Sequence, residues 1–186
     1  MRTSALIILL MILSSITFSQ NTNSTEKNSV GNASFYAEGG GAGIVFSANG
    51  DFRFKGGRLG WGGRLGMGFV SAYNDYYDPV TGYYYSGDQS SALTVPVQVN
   101  YIFGKNNSPH TFEVGGGGTY VSKKLNIMDY YYSTNKDRRT NFFGTFAFMY
   151  RRQPLNGGFS WRIGFTPLFA KGYIQPFGAA SVGYNF

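Results

Sequence analysis

The sequence predicts an all-β chain: eight antiparallel strands closed into a transmembrane β-barrel, with short periplasmic turns on one rim and two long extracellular loops on the other. Three observations carry this. Apolar and polar residues alternate with period two along most of the chain, the mark of strands with one apolar face. Charged residues are only 13%, about half of what a soluble domain carries, whereas aromatics reach 18% and glycine 27 of 186 residues. The charges inside the alternating segments all fall on the phase opposite the aromatic rings.

The first 32 residues stand apart. Arg2 precedes a run from Ala5 to Ile16 that is apolar except for Ser14 and Ser15, and small residues stand at Ser15, Thr17 and Ser19. This is the pattern of a secretory signal peptide over residues 1–19. The run is too short for a transmembrane helix, which needs ~20 apolar residues. Residues 20–32 are rich in Asn, Ser and Thr without periodicity and read as a flexible leader. The barrel is expected over residues 33–186.

Each strand follows from its alternation. Phe35 and Ala37 oppose Tyr36 and Glu38, with a turn at residues 39–43. Ile44, Phe46, Ala48, Phe52 and Phe54 oppose Ser47, Asn49, Asp51 and Arg53. Leu59, Trp61, Leu65, Met67 and Phe69 oppose Arg58, Arg64 and several glycines. Leu93, Val95, Val97, Val99, Tyr101 and Phe103 alternate with Thr94, Pro96, Gln98, Asn100 and Ile102. Phe112, Val114 and Tyr120 face away from Glu113 and Thr119. Phe142, Phe146, Phe148 and Tyr150 oppose Phe143, Thr145, Ala147 and Arg151. Phe159, Trp161, Ile163 and Phe165 oppose Ser160, Arg162 and Thr166, and Val182, Tyr184 and Phe186 oppose Ser181 and Asn185. Short connections lie at residues 55–57, 104–110 and 152–157, and long ones at 73–91 and 123–139.

The aromatic phase is the one expected to face lipid. Arginine on the lipid face at mid-bilayer costs ~2–4 kcal/mol, which explains why Glu38, Asp51, Arg53, Arg58, Arg64, Glu113, Arg151 and Arg162 share the other phase. A soluble barrel would be built the other way round, apolar inside and polar outside. Tyrosines near strand ends suit an interfacial girdle. Chain length limits the strand number, since each spanning strand takes ~9–11 residues; a sixteen-stranded diffusion porin is excluded.

The C-terminal segment Ala180-Ser181-Val182-Gly183-Tyr184-Asn185-Phe186 resembles the terminal strand that the outer-membrane assembly machinery recognises. With the strand pattern, it marks a resemblance to small Gram-negative outer-membrane β-barrel proteins of the OmpA/OmpX-like class. The segments 93–97 and 157–169 look like a subgroup of short barrels within it. The resemblance implies fold, an outer-membrane location, and contact with outer-membrane lipid and lipopolysaccharide. It implies no defined activity, because fold does not fix function.

No residue pattern points to chemistry. With no cysteine, disulfides, thiolate metal sites and an N-terminal lipid-bearing cysteine are excluded. The single histidine, His110, lies in a short turn after Pro109, far from the rim where a surface hydrolase would work. The glycine runs contain neither a phosphate-loop nor a dinucleotide motif. The basic residues are scattered and give no nucleic-acid footprint. The expected function is therefore non-enzymatic and without a cofactor: envelope integrity or surface interaction through Tyr76, Tyr77, Tyr83, Tyr84, Tyr85, Tyr130, Tyr131 and Tyr132, which offer contact area to a glycan or protein ligand. A narrow pathway for small solutes or ions, and a lipid-modifying barrel enzyme, are the alternatives. Inside, Glu38, Asp51 and Glu113 are expected to pair across the lumen with Arg53, Arg64, Arg151 and Arg162. Arg64 and Arg162 are the expected partners of Glu38 and Glu113, whereas Arg58 and Arg151 are expected to reach water.

Overall fold

The computed structural model describes residues 31–73, 76–78, 80–85, 89–125 and 140–186. The expected signal peptide and all but two residues of the leader lie outside them. The described chain forms twelve strands: β1 (Ala33–Gly40), β2 (Phe46–Arg53), β3 (Gly60–Tyr73), β4 (Tyr76–Tyr77), β5 (Tyr84–Tyr85), β6 (Gln89–Gly104), β7 (His110–Leu125), β8 (Thr140–Arg152), β9 (Gly158–Phe165), β10 (Leu168–Ala170), β11 (Tyr173–Gln175) and β12 (Gly178–Asn185).

Neighbouring strands pair antiparallel in chain order, and β12 returns to β1 with Ser34 opposite Asn185. This closes an eight-stranded barrel. The strand count holds because two interruptions keep register. β9 and β10 both pair with β8 along one continuous ladder, Phe165 opposite Phe148 and Leu168 opposite Thr145. β11 and β12 continue one another in the same way against β10 and β9. The breaks fall at Thr166-Pro167 and Pro176-Phe177, where proline removes a ladder donor; carbonyls still bridge them, Thr166 N–H donating to Phe177 at 2.7 Å. Pro96 acts likewise in β6. The β3–β6 ladder skips its level between Leu65–Val97 and Gly68–Thr94, then resumes unshifted. The seventh barrel strand thus runs on to Ala170, five residues past Phe165, and closes in a two-residue turn at Lys171 and Gly172, both with positive φ.

The period-two pattern fixes which side chains face in. Trp61 and Met67 are 60% and 63% exposed on the outer face, whereas Arg64 between them is 3% exposed. Phe35, Phe52, Leu93, Phe112, Phe146, Phe159, Val182 and Tyr184 are exposed in the same way, giving an apolar belt around the barrel. The belt has edges. Toward the long loops, the outer face turns polar beyond Phe69, Leu93 and Tyr120: Gln89 Nε2 donates to Ser71 Oγ at 2.9 Å, and Ser122 Oγ accepts from Leu93 N–H at 3.0 Å. Toward the short turns, the rings of Trp61, Tyr101, Phe103, Phe112, Tyr150 and Trp161 touch in succession around the wall.

Several boundaries differ from the sequence reading. Lys123 and Lys124 belong to β7, which extends past the belt, and are not loop residues. His110 is the first residue of β7 rather than a turn residue, and Arg58 sits in the turn rather than in a strand. The long loop after β3 contains its own hairpin, β4 against β5, turned by Asp78. The Asp78 carboxylate accepts from Val80 N–H at 2.9 Å and Thr81 Oγ1 at 3.0 Å. These two bonds hold its carboxyl below the usual aspartate range, the Val80 N–H foremost. The largest correction is Ile44, expected on the lipid face. It is 8% exposed, with φ +76, because the β1–β2 tip bends into the lumen.

Candidate functional site

The lumen is where the sequence concentrates its charge, and its contents fall into three layers. The layer nearest the short turns holds three carboxylates and four guanidinium groups, each at most 4% exposed. Inward-facing positions of six different strands supply them: Glu38 from β1, Asp51 and Arg53 from β2, Arg64 from β3, Glu113 from β7, Arg151 from β8 and Arg162 from β9.

Glu113 is the centre. Arg64 binds one of its oxygens directly, Arg151 Nη1 donates to Oε2 at 3.0 Å, and Arg162 Nη1 donates to Oε1 at 3.1 Å. Asp51 is held by its neighbour Arg53, by Arg151 Nη1 at 2.7 Å, and more loosely by Arg64 at 3.7 Å. Glu38 pairs with Arg162. Neutral groups satisfy much of what remains. Arg64 Nη1 donates to Gln98 at 2.8 Å, Arg53 Nη2 to Asn100 at 2.6 Å, Arg151 Nη2 to Ser34 at 2.9 Å, and Arg162 Nε to Ser181 at 2.6 Å. The Tyr36 ring lies between two guanidiniums, with Arg162 Cζ 3.7 Å and Arg64 Cζ 5.2 Å from its centroid. A desolvated cation–π contact is worth ~2 kcal/mol, so Tyr36 helps hold two arginines whose charges repel.

The arrangement brings Glu38, Asp51, Arg53, Arg64, Glu113, Arg151 and Arg162 into one connected network. It corrects the expectation for Arg151, which is buried and bridges Asp51 to Glu113 instead of reaching water. Arg58 is also engaged: its Nη2 donates to the carbonyls of Lys105, Asn106 and Ser108 at 3.0, 2.8 and 2.7 Å. Gln153 Nε2 donates to the Arg58 carbonyl at 3.1 Å, and Gln153 N–H to that of Pro109 at 2.9 Å. The three short turns are thereby tied together across the mouth of the lumen. The pocket left at this mouth and a second one beside Tyr36 have volumes of about 10 Å³ each, room for about one water.

The middle layer is hydroxyl-rich and receives the inward-bent β1–β2 tip. Thr94 Oγ1 donates to the Gly43 carbonyl at 3.2 Å, and Thr119 Oγ1 to the Ala42 carbonyl at 2.9 Å. Glycine is required here twice over. Gly40 and Gly41 have φ of +73 and +68, and a Cβ on Gly43 would sit 2.4 Å from the Ser47 Cβ. The outermost layer is apolar: Ile44, Val70, Ala92, Val121, Phe143 and Leu168 pack together, with Ala170 and Phe177 against them. Sequence reasoning missed this plug and expected a polar lumen throughout. The signal was present on the inward phase, which changes from Arg64 to Val70, from Gln98 to Ala92 and from Thr145 to Phe143 toward the long loops. Tyr36 and the amides Gln98 and Asn100 were also legible as inward residues, but not as partners.

Val182, Tyr184 and Phe186 point outward on or just past β12, the last two with ring centroids 5.3 Å apart, and Phe186 N–H donates to Ala33 at 3.0 Å. Tyr83 and Tyr85 are exposed on the β4–β5 hairpin, whose strands also carry Tyr76, Tyr77 and Tyr84. Tyr130, Tyr131 and Tyr132 lie outside the described residues. His110 stands on the outer face with its Nδ1 against the Tyr150 hydroxyl. Among the described residues no cluster of three or more histidine, cysteine, aspartate or glutamate side chains is placed to hold a metal.

This architecture has a known counterpart. The N-terminal β-barrel domain of Pseudomonas aeruginosa OprF superposes with a TM-score of 0.50 at 12% identity, over 84% of this chain and 99% of that domain. The Yersinia pestis outer membrane protein Ail, solved in a phospholipid bilayer nanodisc, gives a TM-score of 0.48 at 12% identity, with coverage of 84% and 99%. No family model matches the chain, and no curated protein sequence does. The shared fold is a closed eight-stranded antiparallel β-barrel.

Proposed function

We propose that this chain is a non-enzymatic integral protein of a Gram-negative outer membrane, exported by a cleaved signal peptide. Its lumen is sealed, and its working surface is the long-loop rim. In this reading the short turns face the periplasm and the β3–β6 and β7–β8 loops face outward. Its role is envelope integrity or surface interaction, with lipopolysaccharide around the belt and a glycan or protein ligand at the tyrosine-bearing loops. Val182, Tyr184 and Phe186 are the segment offered to the assembly machinery.

One observation carries the reading: the lumen is closed by two independent means. The charged layer and the tied turns fill one half, and the bent tip with its apolar layer fills the other. An eight-stranded barrel has an interior just wide enough for side chains to fill, and here they fill it. The apolar belt on the outside, with aromatic rings at its turn-side edge, supports insertion in lipid.

Conductance tests this directly. The purified protein in planar bilayers is expected to show no steady current. A large, stable open conductance would overturn the sealed reading and favour a solute pathway.

A further inference from the structure

Among the described residues, the turn rim carries side-chain charge of one sign. Lys55 lies in the β2–β3 turn, Lys105 in the β6–β7 turn, and Arg152 ends β8; all three side chains are exposed. None of the three makes a side-chain hydrogen bond or ion pair among the described residues, whereas Arg58 beside them is taken up by three carbonyls. Residues 31–33, 54–59, 104–110 and 152–157 contain no aspartate or glutamate. Among the described residues the acids are elsewhere: Glu38, Asp51 and Glu113 are inside the barrel, and Asp78 turns the β4–β5 hairpin.

This one-sided rim sits directly below the ring of aromatics. Trp61 and Tyr101 have centroids 5.2 Å apart, Phe103 and Phe112 5.9 Å, Phe112 and Tyr150 5.7 Å, and Tyr150 and Trp161 5.4 Å, so the contacts cross five adjacent strands. Such a girdle settles at the headgroup level of a bilayer. The cations follow it closely in the chain: Lys55 comes next after Phe54, Lys105 two residues after Phe103, and Arg152 lies opposite Trp161 in the β8–β9 ladder. Cations just beyond an interfacial girdle reach the depth of the lipid phosphates.

We propose that the turn rim is a collar that binds anionic phospholipid headgroups of the leaflet it faces, through Lys55, Lys105 and Arg152. The inference rests on the reading that the belt spans a membrane. The three cations are distributed around the circumference, on the β2–β3 turn, on the β6–β7 turn and at the end of β8. That matches a ring of separate headgroups better than a single acidic macromolecule docked on one patch. The tied turns hold the collar's shape, since Arg58 and Gln153 fix the turns on which these side chains stand.

The test uses the full chain in nanodiscs of phosphatidylcholine with a minor fraction of phosphatidylglycerol, with retained lipid counted by native mass spectrometry. The unmodified protein is expected to retain phosphatidylglycerol above its bulk share, less so as salt rises. The triple variant Lys55→Gln, Lys105→Gln, Arg152→Gln is expected to lose that enrichment by roughly fivefold or more. The loop-rim variant Lys123→Gln, Lys124→Gln is expected to keep it. Equal enrichment in the triple variant, or equal loss in the loop-rim variant, would overturn the collar. So would a polyglutamate peptide captured in preference to lipid. Insertion of all three proteins is followed separately by heat-modifiable migration. Failure to insert would overturn the membrane reading itself, whereas insertion without lipid selectivity would overturn the collar alone.

Discussion

The two halves of the lumen are sealed by opposite physics. On the turn side, seven ionisable groups leave water, and desolvation, several kcal/mol per ion, is offset only by partners in good geometry. On the loop side, Ile44, Val70, Ala92, Val121, Phe143 and Leu168 need no specific partner; burial itself stabilises them at ~25 cal/mol per Å². The hydroxyls of Thr94 and Thr119 stand between and bind the backbone of the tip. One narrow barrel thereby obtains both a defined interior and a tight closure. Charge pairs admit few arrangements, while apolar packing tolerates small changes and excludes water.

The comparison breaks most sharply at Glu113. Three arginines converge on it, so Glu113→Ala leaves buried guanidiniums without their common counter-ion and is expected to cost ~3–5 kcal/mol. Denaturant midpoints of the folded, heat-modifiable form measure this. A loss below ~1 kcal/mol would mean that water or lipid phosphate replaces the carboxylate. Phe143→Ala breaks the other half. Phe143 is 1% exposed at the centre of the apolar layer, and truncating a buried phenylalanine costs ~3–5 kcal/mol when the cavity persists. The loss is expected toward the lower end of that range, because the bent tip and β10 can settle inward. The two variants sharpen the contrast when combined with conductance. Phe143→Ala alone is expected to stay silent, since the charged layer remains, and a steady current from it would show that the apolar layer is the seal.

The smallest effect lies outside the lumen. Asp78 is held ionised by the Val80 N–H and the Thr81 hydroxyl, so its carboxyl titrates below the usual aspartate range. A depressed carboxyl adds order to the β4–β5 turn above its unfolded value, and that order is lost as pH falls through the folded value. NMR titration is expected to show the turn intact at neutral pH and loosening only in strong acid. Titration at the ordinary aspartate value would show that the two bonds do not persist in solution.

Much of the molecule is legible in the order of its residues. Alternation of Phe112, Glu113 and Val114 states which side chain faces in, because a strand's two faces are decided by local geometry alone. The belt, the inward charges and the closing strand at Val182, Tyr184 and Phe186 all follow from that alternation. The Ile44 error has the same root: the alternation rule assumes that the strand continues, and the strained backbone at φ +76 ends it.

Two faces and eight strands are written in local alternation. Who meets whom is settled when the barrel closes. Arg162 reaches Glu38 from 124 positions away, and Arg151 reaches Asp51 from 100. Such pairs depend on barrel closure and on the stagger between strands, which no local pattern encodes. The tip of β1–β2 turned inward for the same kind of reason. Its burial is stabilised by Thr94 and Thr119 on strands that enter the chain far later, so the bend exists only once the wall has closed around it.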